Sequence, residues 1–462
     1  MENFESTFQK INHDQKKFYH SGKTKSLAFR LEMLDKLKAA ILDFEPQLAL
    51  ALKKDLGKSD YEVMTTEVGF SLTEIATLKK GLSKWMRPKK VRGNLISFGA
   101  KSSIYPEPYG NTLIIGPWNY PFQLVIAPLA GAIAAGNTAI VKPSELAPFT
   151  AKVVSDLVAA TFPREYIAVL EGGIPETQTL LGHPFDLIFF TGSPKVGKIV
   201  MKAAAEHLTP VVLELGGKSP CIVDKSAKLD LAARRILFGK GTNAGQTCIA
   251  PDYLLVHSEV KEAFVKAFIA EANKIYGSNL LDNPDFGKII NDANFDRVAK
   301  FIDEGVVLYG GGTNKGARHI DITLLEVSNL DAAVMREEIF GPVLPILTYT
   351  TFDEILSVVG ENPNPLACYV FTEDSAFEAA VVARIHFGGS AINDTIMHIA
   401  NEHLPFGGRG PSGHGRYHGY YSFEAFSHFK SVLKSPTYFD LALKYPPYKA
   451  SFIPWVKRLL YK

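Results

Sequence analysis

One cysteine of this sequence lies in surroundings that suit a nucleophile. Cys248 stands in the segment GKGTNAGQTCIAP (residues 239–251), among small and polar residues with glycines close by. A structural cysteine usually lies among apolar residues and packs as a small hydrophobic side chain. The flanks of Cys248 instead permit close backbone approach and leave the thiol accessible, as nucleophilic attack requires. From these residues alone, a catalytic and a structural role both stay open.

A carboxylate precedes this cysteine at the end of an apolar segment. Glu214 lies in LELGGKSP (residues 213–220), where the chain passes from apolar residues into glycines. A carboxylate at the edge of a core strand carries a free-energy cost unless it is paired, solvated or used in chemistry. The residues therefore predict either a salt-bridged glutamate at a strand end or a general base.

An asparagine follows another predicted strand. Asn119 lies in GPWNYPF (residues 116–122), between Trp118 and a Tyr-Pro pair. Its amide either caps the following helix or donates a hydrogen bond to an oxyanion. Further along, VKPSE places Lys142 and Glu145 after a strand, at the edge where α/β sheets bind ligands.

A glycine-rich segment raises the question of phosphate binding. TGSPKVGKIV (residues 191–200) follows the apolar run FDLIFF and matches most of the phosphate-binding loop of nucleoside triphosphatases. The last position of that motif needs a hydroxyl group for Mg²⁺, and Ile199 has none. The sequence thus argues against a triphosphate site and leaves another phosphate ligand open. A further motif, EEIFGP (residues 337–342), presents two carboxylates and Phe340 before a tight turn.

Apolar strands and helices alternate along the chain, and this order must position the side chains above. The predicted strands of a first block are TLIIG, TAIVKP, EYIAVLEGG, FDLIFFTG and PVVLELGG. A second block, from about residue 217 to 392, contains PCIVD, DYLLVH, VLPILTY and ACYVFT. Such alternation predicts parallel sheets covered by helices on both faces. Two successive α/β blocks also predict a ligand cleft between them.

Helical segments precede the first block. Apolar residues recur at three- and four-residue steps from Leu31 to Phe44, which predicts an amphipathic helix that ends before Pro46. A second helical segment is predicted over roughly Tyr61 to Trp85. The segment GNLISFGAKSSIYPEPYG, short and rich in glycine and β-branched or aromatic residues, is typical of a protruding hairpin.

Composition excludes several classes of function. The chain has 462 residues, 46% of them hydrophobic, and a net charge of +2 that gives no reason to expect nucleic acid. Its three cysteines predict no disulfide framework and favour a reducing, cytoplasmic location. The histidines and cysteines do not have the spacing of zinc ligands, so we expect no metal. The N-terminus lacks the apolar core of a signal peptide. The apolar run from Leu124 to Val141 is interrupted by Pro128 and glycines, which predicts a buried helix and strand instead of a membrane span.

Taken together, the motifs resemble one family, the NAD(P)-dependent aldehyde dehydrogenases. Seven motifs occur in the order typical of the family, over about residues 105–420. They are PWNYPF, VKPSE, FTGS, LELGGKSP, GQTC, EEIFGP and LPFGG. The chain length, the form GPWNYPF and the ending YHGYYSFEAFSHFKSVL are similar to the class-three branch, which includes fatty and medium-chain aldehyde enzymes.

The resemblance implies roles for the residues described above. Cys248 matches the family's nucleophile, Glu214 its general base, and Asn119 with the backbone N–H of Cys248 its oxyanion hole. The implied reaction oxidises an aldehyde irreversibly to a carboxylic acid through a cysteine thiohemiacetal and a thioester, which water hydrolyses. Aromatic and apolar residues indicate a hydrophobic aldehyde, aliphatic or aromatic.

The same resemblance implies NAD as the cofactor, with NADP as a less favoured alternative. The expected cofactor-binding residues are Trp118, Lys142, Glu145, Gly192, Ser193, Val196, Gly197, Glu338 and Phe340. Gly192 and Ser193 would approach the pyrophosphate and the nicotinamide end, where helix N-terminal amides favour phosphate. Val196 would pack near the adenine, and Gly197 would let the helix sit close. Lys198 is then an ordinary helix residue, and the likeness to a triphosphatase loop is accidental.

The remaining cofactor contacts involve the two riboses and the nicotinamide. By resemblance, Lys142 and Glu145 would hold the adenosine ribose, Glu338 the nicotinamide ribose, and Phe340 would form a wall against the nicotinamide. A carboxylate beside the adenosine ribose would repel the 2′-phosphate of NADP, so we expect NAD to be preferred.

The family fold implies two doubly wound open α/β domains and a small bridging β element. We expect a modified Rossmann, NAD-binding domain over residues 1–87 and 108–213, and a catalytic domain over residues 214–415. Residues 88–107 and 424–436 are expected to form the bridging element that joins two subunits in a homodimer.

Some alternatives stay open on the sequence. A CoA-acylating dehydrogenase would pass the acyl group to a thiol, whereas Glu214 favours water, because thiol transfer needs no hydrolytic base. A P-loop-type nucleotide binder is opposed by Ile199, and a non-enzymatic protein on this fold would tolerate loss of Cys248.

The tail, residues 437–462, either forms a gate over the substrate tunnel, which we favour, or docks on a membrane without stable insertion. The segment GRGPSGHGRYHG is more basic than the family pattern and leaves the pocket rim open.

Overall fold

The strands of the chain form two large sheets and two small ones. The computed structural model describes residues 2–94, 97–277, 280, 283–440 and 444–461. In chain order, the strands are β1 (Lys89–Val91), β2 (Lys101–Pro108), β3 (Asn111–Ile115), β4 (Thr138–Lys142), β5 (Ile167–Val169), β6 (Leu187–Gly192), β7 (Val211–Leu215), β8 (Pro220–Val223), β9 (Tyr253–His257), β10 (Val306–Tyr309), β11 (Thr313–Asn314), β12 (His319–Ile320), β13 (Thr323–Glu326), β14 (Val343–Tyr349), β15 (Ala367–Phe371), β16 (Gly389–Ile392), β17 (Gly413–His414) and β18 (Ser427–Lys434).

Helices connect most of these strands. In chain order they are α1 (Glu2–His20), α2 (Leu27–Asp43), α3 (Glu45–Leu56), α4 (Asp60–Val63), α5 (Gly69–Trp85), α6 (Gln123–Ala135), α7 (Pro148–Thr161), α8 (Ile174–Leu181), α9 (Pro194–Ala205), α10 (Leu229–Gly241), α11 (Lys261–Tyr276), α12 (Asp292–Lys300), α13 (Ala333–Arg336), α14 (Phe352–Glu361), α15 (Ser375–Arg384), α16 (Tyr420–Ala425) and α17 (Ile453–Leu460).

The first predicted block forms a six-stranded sheet in the order β17-β7-β6-β3-β4-β5. All of its pairings are parallel except that of the short strand β17 with β7. Ile114 and Val141 lie in one buried hydrophobic cluster, whereas the alternate residues Leu113 and Ile140 lie in another. Because successive side chains of a strand point to opposite faces, the sheet is covered on both sides, as the continuous apolar strands predict.

The second block forms a seven-stranded sheet in the order β10-β13-β14-β9-β8-β15-β16. The four strands predicted from the sequence, β8, β9, β14 and β15, are its buried centre. The edge strand β10 pairs antiparallel with β13, and the other pairings are parallel. Two open, mostly parallel α/β sheets are therefore present. The domain boundary predicted at residue 214 falls inside β7, and the division into domains stays a prediction.

The predicted helices are present with local differences. The amphipathic segment is α2, which ends at Asp43, and α3 then starts with Pro46 in its first turn, where proline is tolerated. The segment predicted over residues 61–85 contains α4, a π-helical turn (Met64–Val68) and α5. Helix α1 was not expected, because only a few of its side chains, Phe8 among them, are apolar and buried.

The longest apolar run of the sequence lies inside the molecule. It forms α6 and β4, and every side chain of both elements is buried. This confirms the predicted helix and strand, with Gly136 at φ 93° ending the helix. Within the described residues, no helix combines the length and the apolar character that crossing a membrane requires.

A three-stranded antiparallel sheet, β1-β2-β18, contains β2 from the predicted hairpin segment (residues 93–110), the strand β1 just before that segment, and a C-terminal strand. The register of β2 and β18 pairs Pro108 with Ser427 and Lys101 with Lys434, all within one chain. Residues 95–96 of the hairpin lie outside the described residues. Val91, Phe429 and Leu433 are exposed on the same face of this sheet.

The tail after β18 is the most exposed part of the chain. The described side chains of α17 are all exposed, among them Trp455, which is 73% exposed. Residues 441–443 and 462 of the tail lie outside the described residues. Neither the gate nor the membrane-docking interpretation is tested by the position of α17.

Candidate active site

A cavity of about 950 Å³ lies at the carboxyl ends of β3, β6 and β7. This is the edge of an open α/β sheet where ligands bind. The segment between β7 and β8 and the loops before β14 and β15 form its other walls. The predicted site residues that line it are Trp118, Asn119, Gly192, Ser193, Glu214, Cys248, Glu338 and Phe340. The structure thus brings together residues that are far apart in the sequence.

Cys248 lies at the end of a tightly bonded loop. Asn243 and Ala244 before it adopt left-handed conformations, with φ values of 52° and 50°. The Gln246 side chain holds the loop through bonds of 3.0 Å from its amide to the carbonyls of Asn243 and Lys288. Left-handed conformations in non-glycine residues persist only where the surroundings over-determine them. The loop therefore holds the half-buried thiol in a fixed position at the cavity wall.

Burial and two carboxylates determine the protonation of this thiol. Burial, followed by the charges of Glu338 and Glu214, raises the pKa of Cys248 to about 12. The backbone N–H groups of Cys248 and Ile249 act in the opposite direction, because they stabilise the thiolate. At neutral pH the thiol of this structure is protonated.

Glu214 lies on β7, between Thr191 of β6 and Gly413 of β17. It is 3% exposed, and within the described residues neither of its carboxylate oxygens has a hydrogen-bond partner. The salt-bridged alternative is therefore wrong. Burial raises the pKa of this carboxyl well above its usual range. Leu215 stands between Glu214 and the glycine pair, so the carboxylate is part of the strand and does not adjoin the glycines directly.

Asn119 faces the nucleophile loop. Its Nδ2 donates a hydrogen bond of 3.1 Å to the backbone carbonyl of Gln246, two residues before Cys248. Helix α6 begins at Gln123 with Phe122 as its N-terminal flanking residue and no side-chain cap. The capping role considered for Asn119 is therefore wrong. An amide nitrogen carries two hydrogens, so one of them is left for a ligand in the cavity.

The glycine-rich segment forms the turn from β6 to α9. Ser193 precedes the helix and its hydroxyl accepts a bond from the Val196 N–H, and Ser193, Pro194 and Lys195 line the cavity, so the start of α9 faces it. A Cβ on Gly197 would lie 2.6 Å from Leu215, which explains the need for glycine there. The hydroxyl of Thr191, buried and without a partner among the described residues, adds a free polar group. These features fit the pyrophosphate of a dinucleotide.

Glu338 and Phe340 lie on the opposite wall. Gly216 leaves room for the Glu338 carboxylate, because a Cβ at that position would overlap it. Burial, with a smaller contribution from Asp252, raises the pKa of Glu338 to about 8. The rings of Trp118 and Phe340 meet edge to face with centroids 5.2 Å apart, and both line the same cavity as Cys248. An aromatic wall of this kind fits a planar ring.

Four predicted cofactor residues do not line the cavity: Lys142, Glu145, Val196 and Gly197. Lys142 and Glu145 form an ion pair of 2.7 Å, in which the lysine is buried and the glutamate side chain is 42% exposed. Val196 is 39% exposed on α9. Their predicted contacts with the cofactor stay a prediction.

Sequence reasoning missed several side chains that support the site. Arg297 of α12 donates bonds of 3.2 and 2.8 Å to the backbone carbonyls of Glu338 and Ile339. Lys218 donates to Asp252 and, at 2.8 Å, to the Glu337 carbonyl. Both hold the loop that carries Glu338. For Lys218 the signal was its place directly after the glycine pair, whereas the helical position of Arg297 gives none.

A second, smaller cavity of about 380 Å³ borders the histidine-containing segment whose role the sequence left open. Met64, Phe70, Ile399 and His418 are among its lining residues. His418 stacks on Tyr417 with ring centroids 3.9 Å apart, and Tyr417 lies within electrostatic reach of Cys248. This second cavity is more apolar than the first, which is the one that Cys248 lines.

Comparison with known proteins agrees with this geometry. The model of the aldehyde dehydrogenase family matches residues 5–432. The chain is 49% identical over 442 residues to the 4,4'-diaponeurosporen-aldehyde dehydrogenase of Staphylococcus aureus, covering 95% of this chain and 96% of that protein. It is 42% identical to aldehyde dehydrogenase family 3 member H1 of Arabidopsis thaliana, covering 96% of this chain and 92% of the relative.

The fold agrees as closely. The substrate-bound state of Staphylococcus aureus AldH superimposes with a TM-score of 0.96 at 48% identity, covering 98% of this chain and 99% of that one. The α/β fold predicted from the motifs is confirmed, as is the likeness to the family 3 branch. With a family match over most of its length and relatives above 40% identity, the chain belongs to the aldehyde dehydrogenase family, the oxidoreductases that act on aldehydes.

Proposed function

We propose that this aldehyde dehydrogenase oxidises a hydrophobic aldehyde to the carboxylic acid, with Cys248 as nucleophile and Glu214 as the base for hydrolysis. The observation that supports the proposal best is the convergence of Cys248, Asn119 and Glu214 on one cavity. Among the described residues, both oxygens of Glu214 are without a hydrogen-bond partner there, at a considerable desolvation cost. A buried carboxylate of this kind suits a reaction in which a water molecule becomes its partner.

In the first step the Cys248 thiol gives its proton to water in the cavity, and the thiolate sulfur forms a bond to the carbonyl carbon as the C=O π bond breaks. The carbonyl oxygen becomes an oxyanion, and the free hydrogen of Asn119 Nδ2 together with the Cys248 N–H stabilises it. The dinucleotide, when bound, supplies the acceptor for the hydride that leaves this carbon. A thioester on Cys248 is then the substrate of the second step.

Hydrolysis requires Glu214 in its ionised form. The carboxylate takes a proton from water, the water oxygen bonds to the thioester carbon, and the carbon–sulfur bond breaks to release the acid and the thiol. Burial disfavours that ionised form, so admission of water beside Glu214 is part of the step.

The cofactor of the family is NAD(P), and we propose a preference for NAD. Glu145 is the side chain expected next to the adenosine ribose, and its exposed carboxylate would repel a 2′-phosphate. Lys142 is engaged by Glu145 at 2.7 Å and would have to leave this partner to neutralise the phosphate. The pair therefore favours NAD but does not exclude NADP.

The aldehyde would reach Cys248 from the second cavity. Phe70, Met64 and Ile399 give this cavity apolar walls that suit an aliphatic or aromatic chain. The tail is proposed as a gate over this entrance, supported only by its exposed apolar helix.

The exposed apolar face with Val91, Phe429 and Leu433 supports a homodimer, and the free thiols of all three cysteines support a cytoplasmic location.

An isotope experiment separates hydrolysis from acyl transfer to CoA. The protein is incubated with NAD⁺ and a medium-chain aldehyde in H₂¹⁸O, and the products are analysed by mass spectrometry with and without CoA. We expect the free acid with at least one ¹⁸O in its carboxyl group, because the hydrolytic water supplies one oxygen and hydration of the aldehyde exchanges the other, and we expect no acceleration by CoA. Formation of an acyl-CoA thioester at a rate above that of the acid would overturn the proposed role of Glu214.

A further inference from the structure

A fully buried ion pair lies behind the active-site loops. Lys58, in the loop between α3 and α4, donates a bond of 2.6 Å to Glu67 in the π-helical turn, and both side chains are 0% exposed. A buried pair is weak evidence for stability, because desolvation offsets most of the attraction between the two charges. Its retention therefore raises the question of what the pair holds in place.

The pair holds both ends of the segment that carries Asn119. Lys58 Nζ also donates to the Asn119 backbone carbonyl at 3.3 Å. The second carboxylate oxygen of Glu67 accepts bonds from the N–H groups of Phe122 and Gln123, at 3.2 and 2.8 Å, where α6 begins. One ion pair thus fixes the carbonyl at the start of this short segment and the amides at its end.

The same group of residues also reaches the nucleophile loop. Tyr120 lies under the Lys58 ammonium, 3.9 Å from ring centroid to nitrogen, and its hydroxyl lies 2.6 Å from the Thr247 hydroxyl, next to Cys248. Asn243, in its left-handed conformation, donates a bond of 2.8 Å to the Asn119 carbonyl. The contacts that hold the segment with Asn119 and the loop with Cys248 therefore meet around the same buried residue, Lys58.

From these contacts we infer that Lys58 and Glu67 are positioning residues, which aim the Asn119 amide at the oxyanion that forms on the Cys248 adduct. The inference rests on the proposed function, in which Asn119 is the oxyanion donor. Hydrogen-bond stabilisation of this kind depends on donors placed before the reaction begins. A shift of the donor by about 1 Å costs up to about 100-fold in rate.

A second buried pair in the same molecule provides a matched control. Lys218 and Asp252 are 2% and 5% exposed, and they hold the backbone at Glu337 and Ile339 on either side of Glu338. The two pairs are alike in chemistry and burial but support different loops. Lys58→Met is expected to slow the chemical step, whereas Lys218→Met is expected to weaken dinucleotide binding.

The experiment measures the pre-steady-state rate of NADH formation, the dissociation constant of NAD⁺ by fluorescence and the melting temperature. For Lys58→Met we expect the rate to fall about 10- to 100-fold, with an NAD⁺ dissociation constant within about twofold of wild type. Lys58→Arg should recover part of the rate, because it restores a cation that donates hydrogen bonds. If Lys58→Met does not fold, Glu67→Gln carries the same test, since its single amide oxygen cannot serve both contacts.

A double-mutant cycle with Asn119→Ala distinguishes positioning from general structural support. If Lys58 acts through Asn119, its substitution should change the rate less than about twofold in the Asn119→Ala background, because interacting sites are non-additive. An equal loss in both backgrounds would overturn the inference and leave the proposed function intact. If Asn119→Ala alone keeps the full rate, the oxyanion role of Asn119 fails, which is a separate outcome.

Discussion

The two ends of the cleft differ in the burial and the pairing of their glutamate carboxylates. At the nucleophile end, Glu214 is 3% exposed and neither oxygen has a partner among the described residues. At the opposite end, where we propose that the adenosine ribose binds (the adenosine end), the Glu145 carboxylate is 42% exposed and paired with Lys142 at 2.7 Å. Both residues are glutamates near the carboxyl end of a strand of the same sheet.

The difference shows where the fold accepts a free-energy cost. An unpaired buried carboxylate is expensive, and it persists where a reaction or a ligand needs it. A paired and exposed carboxylate costs little, and its removal changes little. Substitutions should therefore have their largest effects at the nucleophile end and progressively smaller effects toward the adenosine end and the tail.

The largest effect is expected for the nucleophile itself. Cys248→Ala should lower aldehyde oxidation by at least about 10³-fold, because no other group can form the thioester. The affinity for NAD⁺ should stay close to wild type, since the thiol contributes little to cofactor binding. Turnover is followed by NADH absorbance and affinity by fluorescence.

The other two cysteines provide the controls. Cys221 and Cys368 are buried in β8 and β15, away from the cavity. Their replacement by alanine should leave most of the activity. A tenth of wild-type turnover in Cys248→Ala, or an equally essential Cys221 or Cys368, would contradict the choice of nucleophile.

The second-largest loss of activity is expected when Glu214 is substituted. Glu214→Gln keeps the shape and removes the base, so one turnover of NADH should form rapidly and hydrolysis should then fall by about 10²-fold or more. Mass spectrometry of the stopped reaction should detect the acyl group on Cys248. Full steady-state activity in this variant would exclude Glu214 as the base.

The pH dependence of hydrolysis sharpens the same comparison. Since burial raises the pKa of Glu214, the carboxyl is protonated at low pH and becomes the active carboxylate as pH rises through that raised pKa. Deacylation of the wild type should therefore increase with pH, and in Glu214→Gln this increase should disappear. An identical pH profile in the two proteins would indicate a different base.

A smaller effect is expected at the adenosine end. Glu145 should disfavour NADP⁺ by about 1 to 2 kcal/mol, or roughly five- to thirty-fold in kcat/KM, because exposure and Lys142 reduce the repulsion. Glu145→Gln should narrow this ratio chiefly by improving the use of NADP⁺. An unchanged ratio, or a wild type that prefers NADP⁺, would show that Glu145 does not face the ribose.

The smallest effect is expected for the tail. Removal of residues 447–462 deletes the exposed helix α17. If the tail gates the aldehyde entrance, the KM for long aldehydes should rise by roughly fourfold relative to short ones, the equivalent of one methylene group removed from water at about 0.8 kcal/mol. Steady-state kinetics on aldehydes of increasing length provide the measurement. Equal changes for all lengths would leave the gate without support.

Motifs with strong local chemistry could be identified from the sequence. The buried strands, the helix stop at Gly136 and the small residues around Cys248 all depend on neighbours in the chain, and the structure agrees with them. By contrast, Lys58 lies in a segment of ordinary composition and gave no signal. Its role depends on contacts with Glu67 and Asn119, the latter 61 residues away, which no local pattern records.

The sequence by itself determined the fold class and the succession of the central strands along the chain, and its family motifs singled out Cys248 as the candidate nucleophile. Periodicity and local composition follow from short-range physics, and the family motifs preserve them. Only the tertiary structure decided that Glu214 has no partner in the part of the chain that the structure describes, that Asn119 bonds to the loop before Cys248, and that Lys142 and Glu145 form an ion pair. The pairing and the desolvation of a charged group depend on which residues surround it in the folded protein. For a buried charge, the free energy of these contacts is larger than the conformational preference of the neighbouring residues in the sequence.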